Sequence, residues 1–510
     1  MGRGSVDIAA EIAQVAGGIA FGIVGGGRSL EIADAIERGR GRFHTTRFEG
    51  SAALMAGAVG RLRSRPGVAL SIKGPGLANL AAGIATAWLE DLPVVAVAEA
   101  YERSDSAAKA HKRMDHAALV GPVTKGRCGM ADAGAVAHLL ALAGTERPGP
   151  VLIELADTGA DIPTLPPVAP RDTDAVLRAI EASHRPIVIA GAMAARAGWH
   201  ASLNALSIPV FSTASAKGAV DETRPHAAGV YTGVGLELAP ERAILAKADL
   251  IVGLGLRTRE LLGAGTEQLI VGIDDQDEAP GFSFSAIAPT EAAVRILSAL
   301  SIRSGWGSDL VASTRSRMRK ALLGHDFLPA HVFTAIQDEL SPARLVLDTG
   351  FFCTIGEHIW EVTDPALYLS SGQGRSMGAA LPIAVAAAIH DPRVPTVLAI
   401  GDGGIGMFAA ELTLAVSERA PLLVVFMSDG TYASVRDRAV DKGLTERPLI
   451  LRAPDWTAVA GAMGFAAARA GSLTDVVAFL DRWKVAGGPG FIQIDFSPEP
   501  YRAMTRMLRA

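Results

Sequence analysis

Short apolar runs alternate along the chain with longer Ala-rich segments, and most of these runs end in Gly or Asp. Short runs that are apolar throughout are typical of strands buried on both faces of a parallel sheet, and the segments between them are typical of covering helices. The pattern therefore predicts an α/β protein. The predicted strands are Phe21–Val24, Val68–Ile72, Val94–Val97, Val151–Glu154, Ile187–Ala190, Pro209–Ser212, Leu250–Gly253, Ile270–Ile273, Leu345–Leu347, Tyr368–Ser370, Val397–Ile400, Leu422–Met427 and Phe491–Ile494.

Two breaks divide these elements into three blocks of similar size. The first is the Pro-rich stretch Ile162–Pro170, and the second is a charged, weakly periodic segment near Ser301–Lys320. A chain of 510 residues holds roughly three domains at about 150 residues each. We therefore predict three doubly wound parallel-sheet domains, over residues 1–165, 166–305 and 325–510.

Composition narrows the class of partner. Hydrophobic residues make up 49% of the chain, and 48 Lys and Arg against 53 Asp and Glu give a net charge of −5. This balance excludes intrinsic disorder and gives no reason to expect nucleic-acid binding, so we expect a small-molecule partner. Cys128 and Cys353 give no disulfide framework. Arg3, Asp7 and Glu11 interrupt the apolar N-terminus, so we expect a cytoplasmic protein without a signal peptide or membrane anchor.

The third block carries a glycine turn between a predicted strand and a predicted helix. Val397–Ile400 is followed by Gly401-Asp402-Gly403-Gly404-Ile405-Gly406 and then by Met407–Arg419. Glycines let backbone amides approach a phosphate at a helix N-terminus. The turn also fits the dinucleotide-binding fingerprint, with Asp429 as the ribose-binding carboxylate, and it fits a plain tight turn.

Asp402 favours a metal site over a dinucleotide site. A carboxylate among the glycines would repel a bare pyrophosphate unless a divalent cation lay between them. Mg²⁺ prefers oxygen ligands and is often shared by protein carboxylates, carbonyls and phosphates. Asp429, at the end of the next predicted strand, offers a second carboxylate, and the backbone carbonyl of Thr431 offers a third oxygen.

Gly401-Asp402-Gly403, continuing to Ser428-Asp429-Gly430-Thr431-Tyr432, resembles the magnesium and diphosphate motif of thiamine diphosphate-dependent enzymes of the pyruvate decarboxylase and acetohydroxyacid synthase group. The resemblance implies thiamine diphosphate and Mg²⁺ as cofactors. Ser428-Asp429 stands where the family usually has two asparagines, and Gly404 stands where it often has Ser. The implied metal ligands are Asp402, Asp429 and Thr431, and the implied diphosphate contacts include Gly401, Gly403 and Gly404.

A segment of the first block resembles the family's RHEQAAAHMADGYAR-like stretch, and it runs from Arg47 to Arg61. The resemblance implies that Glu49 hydrogen-bonds the cofactor's aminopyrimidine ring and favours the imino tautomer that removes the thiazolium C2 proton. A carboxylate among apolar neighbours holds its proton more tightly than in water, which suits such proton exchange. The alternative is that Glu49 only occupies a helix N-terminus, where the dipole favours it.

Two further glycine-rich stretches extend the resemblance. Ser71–Asn79 is similar to the family's SGPGxxN segment, with Lys73 in place of a small hydroxyl residue. Ser371–Gly378 resembles the SGGLGTMG turn, in which Met377 matches the apolar residue that props the cofactor into its bent V shape. Arg375 replaces a usual glycine and is a candidate cation for the diphosphate or the substrate. Taken alone, a Met at this position is also ordinary core filler.

The resemblance covers essentially the whole chain, in the order of pyrimidine-binding, central and diphosphate-binding domains. It implies a homodimer or homotetramer with the active site at a dimer interface, where Glu49 of one subunit meets Asp402 and Asp429 of another. It also implies decarboxylation, carboligation or both, acting on a 2-oxo acid or related carbonyl substrate through a C2 carbanion–enamine. Gly26 resembles the acetolactate synthase pattern and favours carboligation.

The sequence leaves open how the substrate is recognised. A solvated basic face is the alternative for the charged candidates. Two other functions also stay open: an NAD(P)- or flavin-dependent oxidoreductase built on Gly401–Gly406, and a relative that binds the cofactor without catalysis. The candidate substrate residues are Gly26, Lys73, His111, Lys112, Ser434 and Val435.

Overall fold

A computed structural model describes residues 3–106, 108–109, 111–163, 171–235, 237–263, 268–275, 284–303, 305–325 and 327–509. The chain forms three α/β units in sequence order, built on sheets of seven, six and six strands. This arrangement confirms the predicted fold class of three parallel-sheet domains.

In the described residues before 164, the first unit has seven strands and six α-helices. Its strands are β1 (Ile19–Gly22), β2 (Arg42–Thr45), β3 (Gly67–Ser71), β4 (Val94–Ala98), β5 (Arg127–Gly129), β6 (Val151–Glu154) and β7 (Ala160–Asp161). Its helices are α1 (Arg3–Ala16), α2 (Arg28–Arg38), α3 (Glu49–Arg63), α4 (Pro75–Leu89), α5 (His116–Val120) and α6 (Ala133–Gly144). The strand order is β2-β1-β3-β4-β6-β5-β7, and β5 with β7 is the antiparallel pair.

The strands of the second unit are β8 (Pro186–Ala190), β9 (Val210–Ser212), β10 (Ala227–Val230), β11 (Leu250–Leu254), β12 (Leu269–Ile273) and β13 (Phe284–Ala288). They form a wholly parallel sheet in the order β10-β9-β8-β11-β12-β13. Its helices are α7 (Thr173–Ala182), α8 (Ala192–Arg196), α9 (His200–Asn204), α10 (Pro240–Leu245) and α11 (Ala293–Ser301). A further helix, α12 (Ser308–Leu322), follows in the charged segment, with Val311 in the core of the second unit and Met318 in the core of the third. The proposed boundary between residues 165 and 166 lies outside the described residues.

The third unit is also wholly parallel. Its strands are β14 (Arg344–Leu347), β15 (Tyr368–Ser370), β16 (Thr396–Gly401), β17 (Leu422–Ser428), β18 (Ala466–Ala470) and β19 (Gly490–Asp495). Its helices are α13 (Pro329–Leu340), α14 (Phe351–Ile359), α15 (Ala380–His390), α16 (Asp402–Ile405), α17 (Leu412–Ser417), α18 (Ala433–Asp441), α19 (Trp456–Met463), α20 (Leu473–Ala486) and α21 (Pro498–Arg509).

The strand order of the third sheet is β15-β14-β16-β17-β19-β18. From β14 the chain adds β15 on one side and then β16 on the other, so the direction in which strands are added reverses between β14 and β16. Ligands of open α/β sheets bind at the carboxyl ends of the strands beside such a reversal. Asp348 follows β14, and Asp402 follows β16. The fold therefore brings two acidic side chains to the position where a ligand crevice is expected.

The predicted helix Met407–Arg419 is wrong. The chain instead forms the four-residue α16, a 3₁₀ turn at Ala409–Glu411 and the six-residue α17. The α-helical part of the predicted segment is therefore limited to Leu412–Ser417, because Gly406 ends α16 and the 3₁₀ turn separates it from α17. The short α16 keeps the backbone of the turn close to Met377 and Asp348.

The first and third units share one hydrophobic core. Helix α3 packs against α4 and against α15 of the third unit. Its buried side chains include Leu54 and Met55, and α15 contributes Leu381 and Val385 to the same cluster. Among the described residues, no helix is both long and apolar enough to cross a membrane.

Candidate functional site

Asp402 lies at the carboxyl end of β16, where its carboxylate bridges two neighbouring strand ends. Oδ1 accepts a hydrogen bond from Ser428 Oγ at 2.9 Å. Oδ2 accepts from the backbone N–H of Asp429 at 2.8 Å and of Gly430 at 3.1 Å. Ser428, which departs from the family's asparagine, therefore supplies a donor to Asp402 that an asparagine amide would also supply.

Asp429 faces the same crevice and is held by its own turn. Its Oδ1 accepts from Thr431 N at 2.9 Å and from Thr431 Oγ1 at 3.0 Å. Within the described part of the chain, both hydrogen bonds use Oδ1, which leaves Oδ2 for a cation. The loop is anchored by a backbone bridge between Thr431 and Ile450.

The electrostatics of this pair fit a divalent cation. Burial raises the pKa of the Asp402 carboxyl. Burial also raises the pKa of Asp429, and the neighbouring charge of Asp402 raises it further. A cation between two half-buried carboxylates would offset both effects. The two carboxylates are oxygen donors of the kind that Mg²⁺ prefers. No group of three or more His, Cys, Asp or Glu suited to a metal occurs among the described residues.

The glycines of the turn make room for neighbouring side chains. A Cβ at Gly403 would lie 2.6 Å from Met377 Sδ and 2.8 Å from Tyr432 Cε1. A Cβ at Gly404 would lie 2.1 Å from Asp348 Oδ2. Since real Cβ atoms do not approach that closely, both glycines are required by the packing around the turn.

Asp348 is a site residue that the sequence analysis missed. It is buried, and its carboxylate accepts from the backbone N–H of Gly378 at 2.8 and 3.0 Å. Burial raises its pKa to about 7. Asp348 thus connects the turn that carries Met377 to the glycine turn at Gly404. Its position directly after a predicted strand, like that of Asp402, was the signal that could have identified it.

A cavity of about 650 Å³ opens at this edge of the sheet. Phe351, Phe352 and Met427 supply apolar wall, and Arg375 and Arg438 supply positive charge. Gly404 lies beneath the turn against Asp348. The predicted site residues on the cavity wall are Arg375, Met377, Gly401, Asp402, Gly403, Asp429, Thr431, Ser434 and Val435.

The loop that carries Arg375 and Met377 is held by a second residue that the sequence analysis missed, Glu90 of the first unit. Its Oε1 accepts from Ser371 Oγ at 2.8 Å and from Gly374 N at 2.6 Å. Its Oε2 accepts from Gln373 N at 3.2 Å. Burial raises the pKa of Glu90. No motif spacing connects residues 281 positions apart, so only the folded chain identifies this contact.

Glu49 begins α3 and is buried, with 7% of its surface exposed. Asn79 Nδ2 donates to its Oε2 at 2.9 Å. Glu49 is not among the residues that line the cavity of Asp402 and Asp429. Within one chain, therefore, the predicted proton-transfer residue and the predicted metal ligands lie apart.

Two of the other predicted substrate residues, Lys73 and His111, contact Tyr101 in the first unit. Lys73 Nζ lies 3.7 Å from Glu99 Oε2 and 5.2 Å from the ring centre of Tyr101. The Tyr101 hydroxyl donates to the backbone carbonyl of His111. Lys112 is exposed, and its backbone has a φ of 62°. Gly26 is exposed too, with open space where a Cβ would lie; like these basic residues, it is not part of the cavity wall.

Comparison with known proteins assigns this geometry to a family. The chain matches the models of the thiamine pyrophosphate enzyme N-terminal TPP-binding domain over residues 4–119, central domain over residues 173–277 and C-terminal TPP-binding domain over residues 348–494. These matches follow the order of the three sheets.

Curated relatives extend over most of the chain. The catabolic acetolactate synthase of Raoultella terrigena is 30% identical over 456 residues, which cover 81% of each protein. A probable 2-ketoarginine decarboxylase of Pseudomonas aeruginosa is 28% identical over 88% of this chain and 85% of its own. The acetolactate synthase of Bacillus subtilis is 27% identical over 83% of this chain and 80% of its own. The chain therefore belongs to the family of thiamine pyrophosphate-dependent enzymes and to its acetolactate synthase-like members.

Proposed function

We propose that this protein uses Mg²⁺ and thiamine diphosphate to decarboxylate a 2-oxo acid and to join the resulting acyl group to a second carbonyl compound. The observation that carries the proposal is the Asp402 carboxylate, which is fixed by three hydrogen bonds beside Asp429 on the wall of a cavity of about 650 Å³. The names of the acetolactate synthase relatives support carboligation as the second step.

The proposed metal ligands are the carboxylates of Asp402 and Asp429 and the backbone carbonyl of Thr431. Each carboxyl is buried enough for its pKa to be raised, so ionised forms of both are costly without a cation. Mg²⁺ retains open positions in such a set for phosphate oxygens. The same ion would shield the diphosphate from the two acidic side chains.

When bound, thiamine diphosphate would supply a nucleophilic carbon for the substrate carbonyl and an electron sink for the decarboxylation. Met377 packs against Gly403 and would support the bend of the cofactor. Glu49 would hold the proton shared with the aminopyrimidine ring, and Asn79 fixes the orientation of its carboxylate. A positioned acid–base group of this type contributes about 10²- to 10⁴-fold to turnover.

The active site is proposed to lie between two copies of the chain. Glu49 is not on the wall of the cavity that holds Asp402, so a second copy has to supply it. Apolar side chains near the cavity are exposed by 45 to 61% in one chain and would be covered by such a partner. These side chains are Val435, Val440, Leu444 and Ile450.

Substrate recognition is proposed to involve both copies as well. Ser434 and Val435 line the cavity directly. Lys73, His111 and Lys112, together with Gly26, would approach it from the first unit of the other copy. In that position the basic side chains offer charge complementary to a carboxylate substrate.

Cofactor binding tests the core of the proposal. In calorimetric titrations, thiamine diphosphate should bind in the presence of Mg²⁺ and lose most of its affinity in EDTA. Asp402→Ala should abolish the metal-dependent part, whereas Asp338→Ala, which removes an exposed carboxylate of α13, should leave it unchanged. Binding of NAD(P)H in place of thiamine diphosphate, or equal affinity with and without metal, would contradict the proposal.

Product analysis and subunit mixing test the reaction and the interface. Pyruvate and other 2-oxo acids should release CO₂, and mass spectrometry should detect a ligated product when an acceptor carbonyl is present. Glu49→Gln and Asp402→Ala proteins should each be inactive alone. Refolding or exchanging the two together should restore part of the activity, since a mixed dimer keeps one intact site. No recovery in a proven mixed dimer would contradict the shared site.

A further inference from the structure

Arg375 occupies an unusual position in the cavity loop. It lines the cavity and lies two residues before Met377. Its φ is 47°, in the left-handed region that favours glycine. A side chain kept in this strained conformation, where the resembled family has glycine, suggests that the cation itself has a use.

The backbone under Arg375 is rigidly held. Gly374 N donates to Glu90 Oε1 at 2.6 Å, and Ser376 N donates to Ser371 Oγ at 2.7 Å. A Cβ at Gly374 would lie 2.9 Å from Leu89 Cβ, so the loop lies directly on the first unit. The position of the Arg375 side chain is therefore fixed at its base.

The guanidinium of Arg375 is only loosely paired. Nη2 lies 3.5 Å from Glu357 Oε1, and Nη1 lies 3.6 Å from Cys353 Sγ. The pair of Arg196 with Glu146, which is also partly buried, is shorter at 2.6 Å. Arg375 Nε is buried and has no acceptor among the described residues. The group thus keeps strong donors for a ligand.

The guanidinium of Arg375 keeps its positive charge. Glu357 raises the pKa of the Arg375 guanidinium above its usual value, so it stays protonated at any working pH. The two acidic groups of the cavity, Asp402 and Asp429, are proposed to be neutralised by the metal. An anion that enters the cavity therefore meets the partly buried guanidinium of Arg375, which is paired with Glu357 at 3.5 Å and whose Nε has no acceptor among the described residues.

We propose that Arg375 binds a carboxylate that the substrate retains through the reaction, an inference that rests on the proposed function. An arginine paired with the departing carboxylate would stabilise the ground state and oppose loss of CO₂. A retained carboxylate avoids this conflict. It is either the carboxylate of a 2-oxo acid acceptor or a distal carboxylate on the donor, and both have the planar shape that a guanidinium binds with two hydrogen bonds.

Two substitutions test this assignment. Arg375→Gly removes the cation and relieves the left-handed backbone, and Arg375→Lys keeps the charge without the planar fork. Arg393→Gln is the matched control, because Arg393 is 89% exposed. Binding of an acceptor carboxylate is measured by the ratio of kcat/KM for a 2-oxo acid acceptor to kcat/KM for an aldehyde acceptor. Binding of a distal donor carboxylate is measured by the same ratio for 2-oxoglutarate and pyruvate as donors.

One of these two ratios should fall by about 10- to 100-fold in Arg375→Gly and less in Arg375→Lys. Titration of the holoprotein with oxamate or glutarate, which do not react, should weaken in parallel. Unchanged ratios and unchanged titrations would overturn the inference. An at least tenfold loss of thiamine diphosphate affinity with unchanged ratios would also overturn it and assign Arg375 to the diphosphate. Absence of turnover in the wild-type protein would instead contradict the proposed function. The titrations with oxamate and glutarate would then still measure whether Arg375 binds a carboxylate.

Discussion

Substitution of Glu90 tests how the loop that carries Arg375 and Met377 is positioned. Its carboxylate accepts three hydrogen bonds from the loop, two on Oε1 and one on Oε2. Glu90→Ala leaves two backbone N–H groups and the Ser371 hydroxyl without this acceptor. Glu90→Gln keeps one oxygen, which can serve Ser371 and Gly374, but turns an amide NH₂ toward the N–H of Gln373.

These contacts set the size of the effect. A buried donor without an acceptor costs about 1–3 kcal/mol. Removing a buried carboxylate also recovers the cost of its desolvation, which is the main reason that its pKa is raised. We therefore expect Glu90→Ala to lower the free energy of unfolding by about 2–5 kcal/mol. Glu90→Gln should lose about 1–2 kcal/mol, since it breaks one of the three bonds.

Urea unfolding and steady-state kinetics measure the two consequences, a loss of stability and a loss of kcat. Because Arg375 and Met377 follow directly in the loop, its loosening should also lower kcat, by up to about 10²-fold for a displacement near 1 Å. Glu181→Ala, which removes an exposed carboxylate of α7, is the control for loss of charge. If Glu90→Ala changed stability by less than about 0.5 kcal/mol and kcat by less than about twofold, the positioning role would be refuted.

Three further predictions follow from the site and the second unit. Glu49→Gln should lower turnover by about 10²- to 10⁴-fold while thiamine diphosphate still binds, and wild-type rates in steady-state assays would exclude its proton-transfer role. Gly404→Ala should cost about 1–3 kcal/mol in urea unfolding, because its Cβ meets Asp348 at 2.1 Å; Gly406→Ala, with its nearest neighbour at 3.6 Å, should be nearly neutral, and equal losses would contradict the steric argument. Burial raises the pKa of Glu260 from 4.5 to about 7. Between these two pH values the folded protein holds a proton on Glu260 that the unfolded chain releases. The protonated side chain therefore contributes stability that is fully present below pH 4.5 and is lost as the pH rises through about 7. Glu260→Gln should flatten the curve of stability against pH between about pH 4.5 and 7, and an unchanged slope would contradict the raised pKa.

The sequence predicted the central strands better than the edges and short helices. Val151–Glu154 has the predicted bounds of β6, and the predicted Ile187–Ala190 is one residue shorter than β8, since their apolar runs match interior strands buried on both faces. Strand β18 was missed because Ala466–Ala470 reads AAARA, a strong helix former that pairing with β19 holds extended. Tertiary contacts override local preference at such positions.

The same limit applies to the site. The motif spacing predicted that Asp402 and Asp429 meet, because both end neighbouring parallel strands. Asp348 and Glu90 carry no motif, and apart from the Ser371 hydroxyl their partners in the loop are backbone N–H groups that any residue could supply. Where the contact depends on the backbone of a distant loop, the sequence contains no side-chain pattern from which to predict it.

The contact between Glu90 and the loop has a consequence for how the domains cooperate. The loop belongs to the third unit, but Glu90 belongs to the first, and the two units share the core around α3 and α15. The α3 helix also begins with Glu49. Any shift of the first unit against the third therefore moves the support of Arg375 and Met377 together with the proposed proton-transfer group. In the proposed site between two copies, this shared core would fix the contributions that each copy makes from its first and its third unit.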